Sequence, residues 1–106
     1  MRRGRLSSID ILGRDYRIVY VKSASEVDPQ GRDSLWGHVD YWNREIRIYD
    51  NGRSERDIFE TIMHEILHAL DNDLHLGLKD HDGGEGRLHR LSVGLADTLR
   101  RNKIIG

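Results

Sequence analysis

The stretch Ile58-Phe59-Glu60-Thr61-Ile62-Met63-His64-Glu65-Ile66-Leu67-His68-Ala69-Leu70 decides how the rest of the chain is read. Its apolar residues recur at helical spacing, with Ile62, Met63, Ile66, Ala69 and Leu70 forming one stripe. Phe59, Leu67 and Leu74 widen that arc until only a narrow polar strip of His64, Glu65 and His68 remains. A solvated surface helix carries a broad polar face, so a strip this narrow predicts a site facing inward. Positions i and i+4 stand one above the other on a helix. His64 and His68 can therefore both turn an imidazole toward one tetrahedral ion at about 2.0–2.1 Å. Glu65 is rotated from His64 by about 100°, which carries its carboxylate past the ion toward a bound water.

Chance is a poor account of this pattern. With six histidines in 106 residues and as many glutamates, His-Glu-x-x-His arises at random with a probability of roughly 2 %, before any demand on helical context. The chemistry of the pattern is coherent. Two neutral imidazoles leave most of a divalent charge available to acidify water, and the adjacent carboxylate can take the proton and deliver it to a leaving amine. Two imidazoles and a carboxylate suit the borderline-soft preference of Zn²⁺.

A catalytic zinc normally takes three protein ligands, so one more is expected. The continuation His-x-x-Gly-x-x-His fails here, because the corresponding positions are Asp71 and Leu74. Glu85 opens a later helical segment and flanks its apolar stripe, so it points inward, where an unpaired acid is costly. A helix N-terminus also favours an acid with no metal present. His89, one turn on, and His81, in the preceding loop, are the competitors. Asp71 shares the His64/His68 face and suits either an orienting carboxylate behind an imidazole or a solvated helix end. His75 lies about 10 Å beyond His68 along a straight helix, too far to share its ion. His38 or Tyr41 could instead point over the metal and donate to an oxyanion.

Around this helix the chain reads as strands, then helices. Ile9–Leu12 and Tyr16–Val21 are β-rich runs joined by Gly13-Arg14-Asp15, and Trp36–Asp40 and Glu45–Tyr49 form a second pair turning at Trp42-Asn43-Arg44. Trp36 and Trp42 are expected to pack within that hairpin. Residues 23–35, with Pro29 and Gly31, read as a surface loop. Ser54-Glu55-Arg56-Asp57 resembles a capping box, so the helix runs from about Glu55 to Asp73. Gly77 and Lys79–Gly84 break it, and a last helix spans about Glu85 to Asn102 with Leu88, Leu91, Leu95 and Leu99 inward. The order predicts one α+β domain over 1–106, with two helices packed on one face of a small antiparallel sheet of about four strands.

Composition narrows the function. A net charge of −1 makes no electrostatic case for nucleic acid or a membrane surface. Arg2-Arg3-Gly4-Arg5 and Arg100-Arg101-Asn102-Lys103 are basic but terminal. Cysteine is absent, which removes disulfides and thiolate metal sites. No apolar run reaches the roughly 18–20 residues of a membrane span, and Met1–Ser8 has no signal core, so a cytoplasmic protein is expected.

Thr61–Asp71 resembles the active-site helix of small phage and bacterial zincin-like metallopeptidases, in the neighbourhood of the ImmA/IrrE and SprT-like families. Trp36-Gly37-His38-Val39-Asp40-Tyr41 with Ile46-Arg47-Ile48 resembles the strand pair preceding that helix, and Leu91–Leu99 with Asn102 resembles the closing helix. The resemblance covers roughly residues 35–102 and implies a minimal gluzincin-like fold, with Glu85 at the position of the further ligand. The expectation is thus a zinc metallopeptidase holding Zn²⁺ by His64, His68 and Glu85, with Glu65 as general base. Its peptide or protein substrate would pair with the strand Glu45–Tyr49 if that strand is a sheet edge. Two alternatives are a metal-dependent hydrolase of another substrate, and a metal-stabilised phage or bacterial regulatory or assembly module that binds without turnover. Glu65 argues for chemistry, since a structural site closes its fourth position and needs no base.

Overall fold

Two hairpins laid side by side make one mixed sheet, and a pair of helices stacks on it. The computed structural model describes residues 5–23, 36–78 and 84–103, with the backbone alone at Gly84 and Glu85. The loop expected over 23–35 and the helix break at 79–83 therefore fall almost wholly outside the described residues. The first hairpin pairs β1 (Ser8–Ile11) with β2 (Arg14–Val21) antiparallel, Ile9 opposite Tyr16 and Ile11 opposite Arg14. Its turn is tighter than expected. Leu12 and Gly13 alone make it, at φ 55° and 84°, the sign pattern of a type I′ turn, whose twist matches that of the flanking strands. The Gly13 N–H donates to Asp10 Oδ1 at 2.7 Å. Arg14 and Asp15 consequently open β2 instead of turning.

The second hairpin pairs β3 (Gly37–Asp40) with β4 (Glu45–Tyr49). Asp40 Oδ1 accepts the backbone N–H groups of Trp42 and Asn43, both at 3.0 Å, the local bonding that makes Asp a turn former. Trp42 is not a packing residue of this hairpin: the turn leaves it 92 % exposed. Trp36 is largely exposed too, but its ring lies against Tyr49 and under the Arg53 guanidinium, 4.5 Å from the ring centre.

The sheet departs from the all-antiparallel expectation. Its order is β1-β2-β4-β3, with β2 and β4 parallel and Ile18 beside Ile46. β3 begins at the end of the sheet where β2 finishes, two strand positions away, and the chain turns back to lay β4 between them. β4 is therefore an inner strand, its backbone paired on both sides. The expectation that Glu45–Tyr49 could receive an extended substrate as an edge is corrected by this order: β1 and β3 are the edges among the described residues.

Ser54 caps α1 (Glu55–Leu74), accepting the Asp57 N–H at 3.1 Å, and Glu55 and Asp57 place negative charge in the first turn. The helix ends before Gly77. His75 takes the left-handed cap at φ 54°, ψ 48°, with its N–H on the Asp71 carbonyl. Asp71 Oδ1 then accepts the Leu78 N–H at 2.9 Å and ties down the segment beyond.

One face of α1 packs on the sheet, where Tyr16, Ile18, Ile46, Ile48, Ile58 and Ile62 share a core. Ile46 and Ile48 are fully buried, each contributing about 1.5–3 kcal/mol relative to exposure. The opposite face carries α2 (Gly84–Arg101), where Phe59 and Met63 meet Ala96, Leu95 and Leu99. The domain is thus α+β and layered as sheet, α1, α2; the second helix packs chiefly on the first rather than beside it on the sheet. Among the described residues, no helix is long and apolar enough to cross a membrane.

Candidate metal centre

Because α1 is covered on two faces, its polar strip is confined to the gap between β3 and α2. Glu65 and His64, consecutive but rotated by about 100°, reach opposite walls of that gap. Glu65 is 5 % exposed and faces β3, where its carboxylate comes against Gly37. His64 faces α2, its ring centre 5.6 Å from that of His89. His68 stands one turn beyond His64, with ring centres 4.8 Å apart and Nε2 atoms 3.1 Å apart.

Candidate ligand atoms of His64, Glu65 and His68 all lie within 4.8 Å of one another. Two nitrogens bound to one tetrahedral ion at about 2.05 Å stand about 3.3 Å apart, so the observed Nε2 separation suits joint coordination. The same distance also suits an imidazole N–H donating to the other ring's lone pair. The donor set, two imidazoles with a buried carboxylate alongside, matches a divalent, borderline-soft ion.

Gly37 was not legible as part of this centre. A β-carbon there would lie 2.6 Å from Thr61 Cγ2 and 3.0 Å from Glu65 Oε2, so only glycine lets β3 approach the helix this closely. The available signal was a glycine at a strand position, which often marks a close backbone approach. Thr61, one turn before Glu65, donates its hydroxyl to the Asp57 carbonyl at 3.0 Å and accepts from Arg53. Arg53 also donates to the Tyr49 carbonyl at 2.8 Å and the Asp57 carbonyl at 3.0 Å. One guanidinium thereby fixes the end of β4 to the first turns of α1.

The other expected residues divide. Tyr41 does come to the site: its hydroxyl donates to the His68 carbonyl at 3.3 Å. Burial pushes its pKa up to about 12, and the negative charge of Glu65 adds to the shift, so the phenol keeps its proton. His38 does not point over the centre. Gly37 and Val39 face α1, and strand alternation puts His38 on the other face of the sheet, opposite Arg47. His75, as the exposed cap of α1, is set apart as expected. Asp71 serves as the anchor for Leu78. Glu85 sits in the first turn of α2, but its side chain, like the whole of His81, lies outside the described residues. The chain matches no family model, no curated protein and no solved structure.

Proposed function

We propose that the chain is a zinc-dependent hydrolase, in the first instance a metallopeptidase, with His64 and His68 as metal ligands and Glu65 as general base. The observation that carries this reading is the 3.1 Å approach of the two Nε2 atoms with a buried carboxylate alongside. The chemistry the ion supplies when bound is Lewis-acid activation of water at neutral pH. Glu65 takes the proton released in that activation, holds it on its carboxylate, and returns it to the leaving amine. Its burial against Gly37 limits its rotamers, which keeps the carboxylate in place for both transfers. Tyr41, protonated at neutral pH, donates its hydroxyl to the His68 carbonyl and so ties the turn after β3 to the helix that carries the imidazoles.

A peptide is favoured as substrate by the sheet edge. Among the described residues β3 is an edge strand beside Glu65, and an extended chain can add to such an edge by main-chain hydrogen bonds.

The test has two parts. Protein purified without added metal should carry near-stoichiometric zinc. Glu65→Gln should keep that zinc while losing about 10²–10⁴-fold in hydrolytic rate, because the amide is nearly isosteric but takes no proton. Equal hydrolysis by wild type and variant removes the catalytic reading and leaves a metal-held binding module.

A further inference from the structure

We propose that His89 of α2 is a ligand of the same ion as His64 and His68, making the centre a three-histidine one. This rests on the metal reading above and names a member of its ligand set. The first support is geometric. Two imidazoles on one tetrahedral ion at about 2.05 Å hold their ring centres about 5.2 Å apart, and about 4.5–5.5 Å as the bond angle opens from about 90° to about 120°. His64 and His68 stand at 4.8 Å, and His64 and His89 at 5.6 Å with planes inclined by 56°. The donor atoms already gathered within 4.8 Å of one another are those of His64, Glu65 and His68. The His64–His89 spacing lies just outside the range for a shared ion, and the exposed His89 ring reaches it by turning toward His64.

The second support is the seat of His89. Leu88, Ser92 and Ala96 recur every four residues along α2 and are buried. Leu88 precedes His89 directly, so the imidazole leaves α2 at the margin of its packed face. Ser92 Oγ donates to the His89 carbonyl at 2.6 Å, bracing the backbone that carries the ring. A ligand on a braced helix holds its geometry better than one on a loop.

The remaining described histidines are placed elsewhere. His38 is on the far face of the sheet and His75 caps α1 beyond its last turn. A catalytic ion needs three protein ligands with a fourth position open, and His89 brings α2 into the sphere.

The experiment uses the whole chain and zinc itself. Wild type, His89→Ala, His89→Gln and Glu85→Ala are titrated with zinc against a competing chelator at pH 7. In parallel, ¹⁵N-imidazole protein loaded with ¹¹³Cd is examined by NMR for cadmium-coupled rings. The expected result is three coupled imidazoles in wild type and two in His89→Gln. Both His89 variants should lose more affinity than the roughly 10–100-fold typical of groups behind the ligands. Two coupled imidazoles in wild type, or a large loss in Glu85→Ala with His89→Ala within about 100-fold, overturns the proposal while leaving His64 and His68 as ligands. Wild type that binds neither metal overturns both readings together. Because the coupled rings are assigned to their residues in wild type, a third coupled ring that belongs to His81 also overturns the proposal, and the outcome stands even if a variant folds poorly.

Discussion

Gly37 and Glu65 meet across the gap between β3 and α1, with a β-carbon on Gly37 placed 3.0 Å from Glu65 Oε2 and 2.6 Å from Thr61 Cγ2. The second contact is too close for any side chain, and Thr61 is itself bonded to Asp57 and Arg53, so neither wall yields freely. Gly37→Ala should therefore force β3 and α1 apart, at a cost of about 1–3 kcal/mol from overpacking. Glu65 meets that wall directly while His64 faces α2, so zinc affinity should change far less than hydrolysis. Urea unfolding with chelator competition measures both, and a variant as stable as wild type would show that the gap is looser than described.

The first hairpin carries a correctable strain. Leu12 is 56 % exposed and holds φ 55° in a two-residue turn, a region that costs a branched side chain about 1–2 kcal/mol. Leu12→Asn supplies the Asn-Gly pair that such a turn prefers. The expected outcome is a gain of about 1 kcal/mol, seen as a higher denaturation midpoint with an unchanged slope. A loss would mean that Leu12 contributes packing its exposure does not reveal.

Asp50 couples the sheet to the start of α1 and makes stability depend on pH. Its side chain is 2 % exposed, with Lys22 Nζ at 2.9 Å from Oδ1 and Arg5 on Oδ2. The Lys22 ammonium beside it, against the opposing effect of burial and helped by the hydrogen bond from Arg5, holds the carboxyl below its ordinary range. The stability this contributes is complete above the unfolded value of about 3.9 and is lost as pH falls through the lower folded value. Asp50→Asn should cost about 1–3 kcal/mol at pH 7. The gap from wild type should narrow below about pH 4. Urea midpoints at pH 7 and pH 3 check this, and a gap that stays constant would mean the carboxylate's charge is not the source.

What could be read in advance follows the range of the forces involved. The bounds of α1 and the grouping of His64, Glu65 and His68 were legible because capping at Ser54 and helical periodicity act within a few residues. The left-handed residue at His75 was not, because Gly77 offered the commoner stop. The turn at Leu12-Gly13 was displaced for the same reason, since leucine is a poor left-handed residue and only the strand register puts it there. Sheet order is a long-range property. Nothing in residues 45–49 distinguishes pairing with β3 alone from pairing with β2 as well. The role of Gly37 and the far-side placement of His38 follow from that order, so both emerged only with the fold.

If His64 and His68 hold an ion, the ion is also part of what keeps α1 and the gap intact. A ligand bound only by the native state adds stability by mass action, about 4 kcal/mol when free ligand is a thousandfold above Kd. In a domain of this size each kcal/mol moves the melting temperature by about 4–8 °C, so chelation should lower it by roughly 10 °C or more. His64→Ala removes a ring seated between α1 and α2, and should melt near the chelated wild type while ceasing to respond to chelator. Calorimetry of both proteins with and without chelator makes the comparison. A wild type whose melting temperature is untouched by chelation, together with a His64→Ala variant that melts alongside it, would return the 3.1 Å contact between His64 and His68 to an ordinary hydrogen bond between two neutral rings.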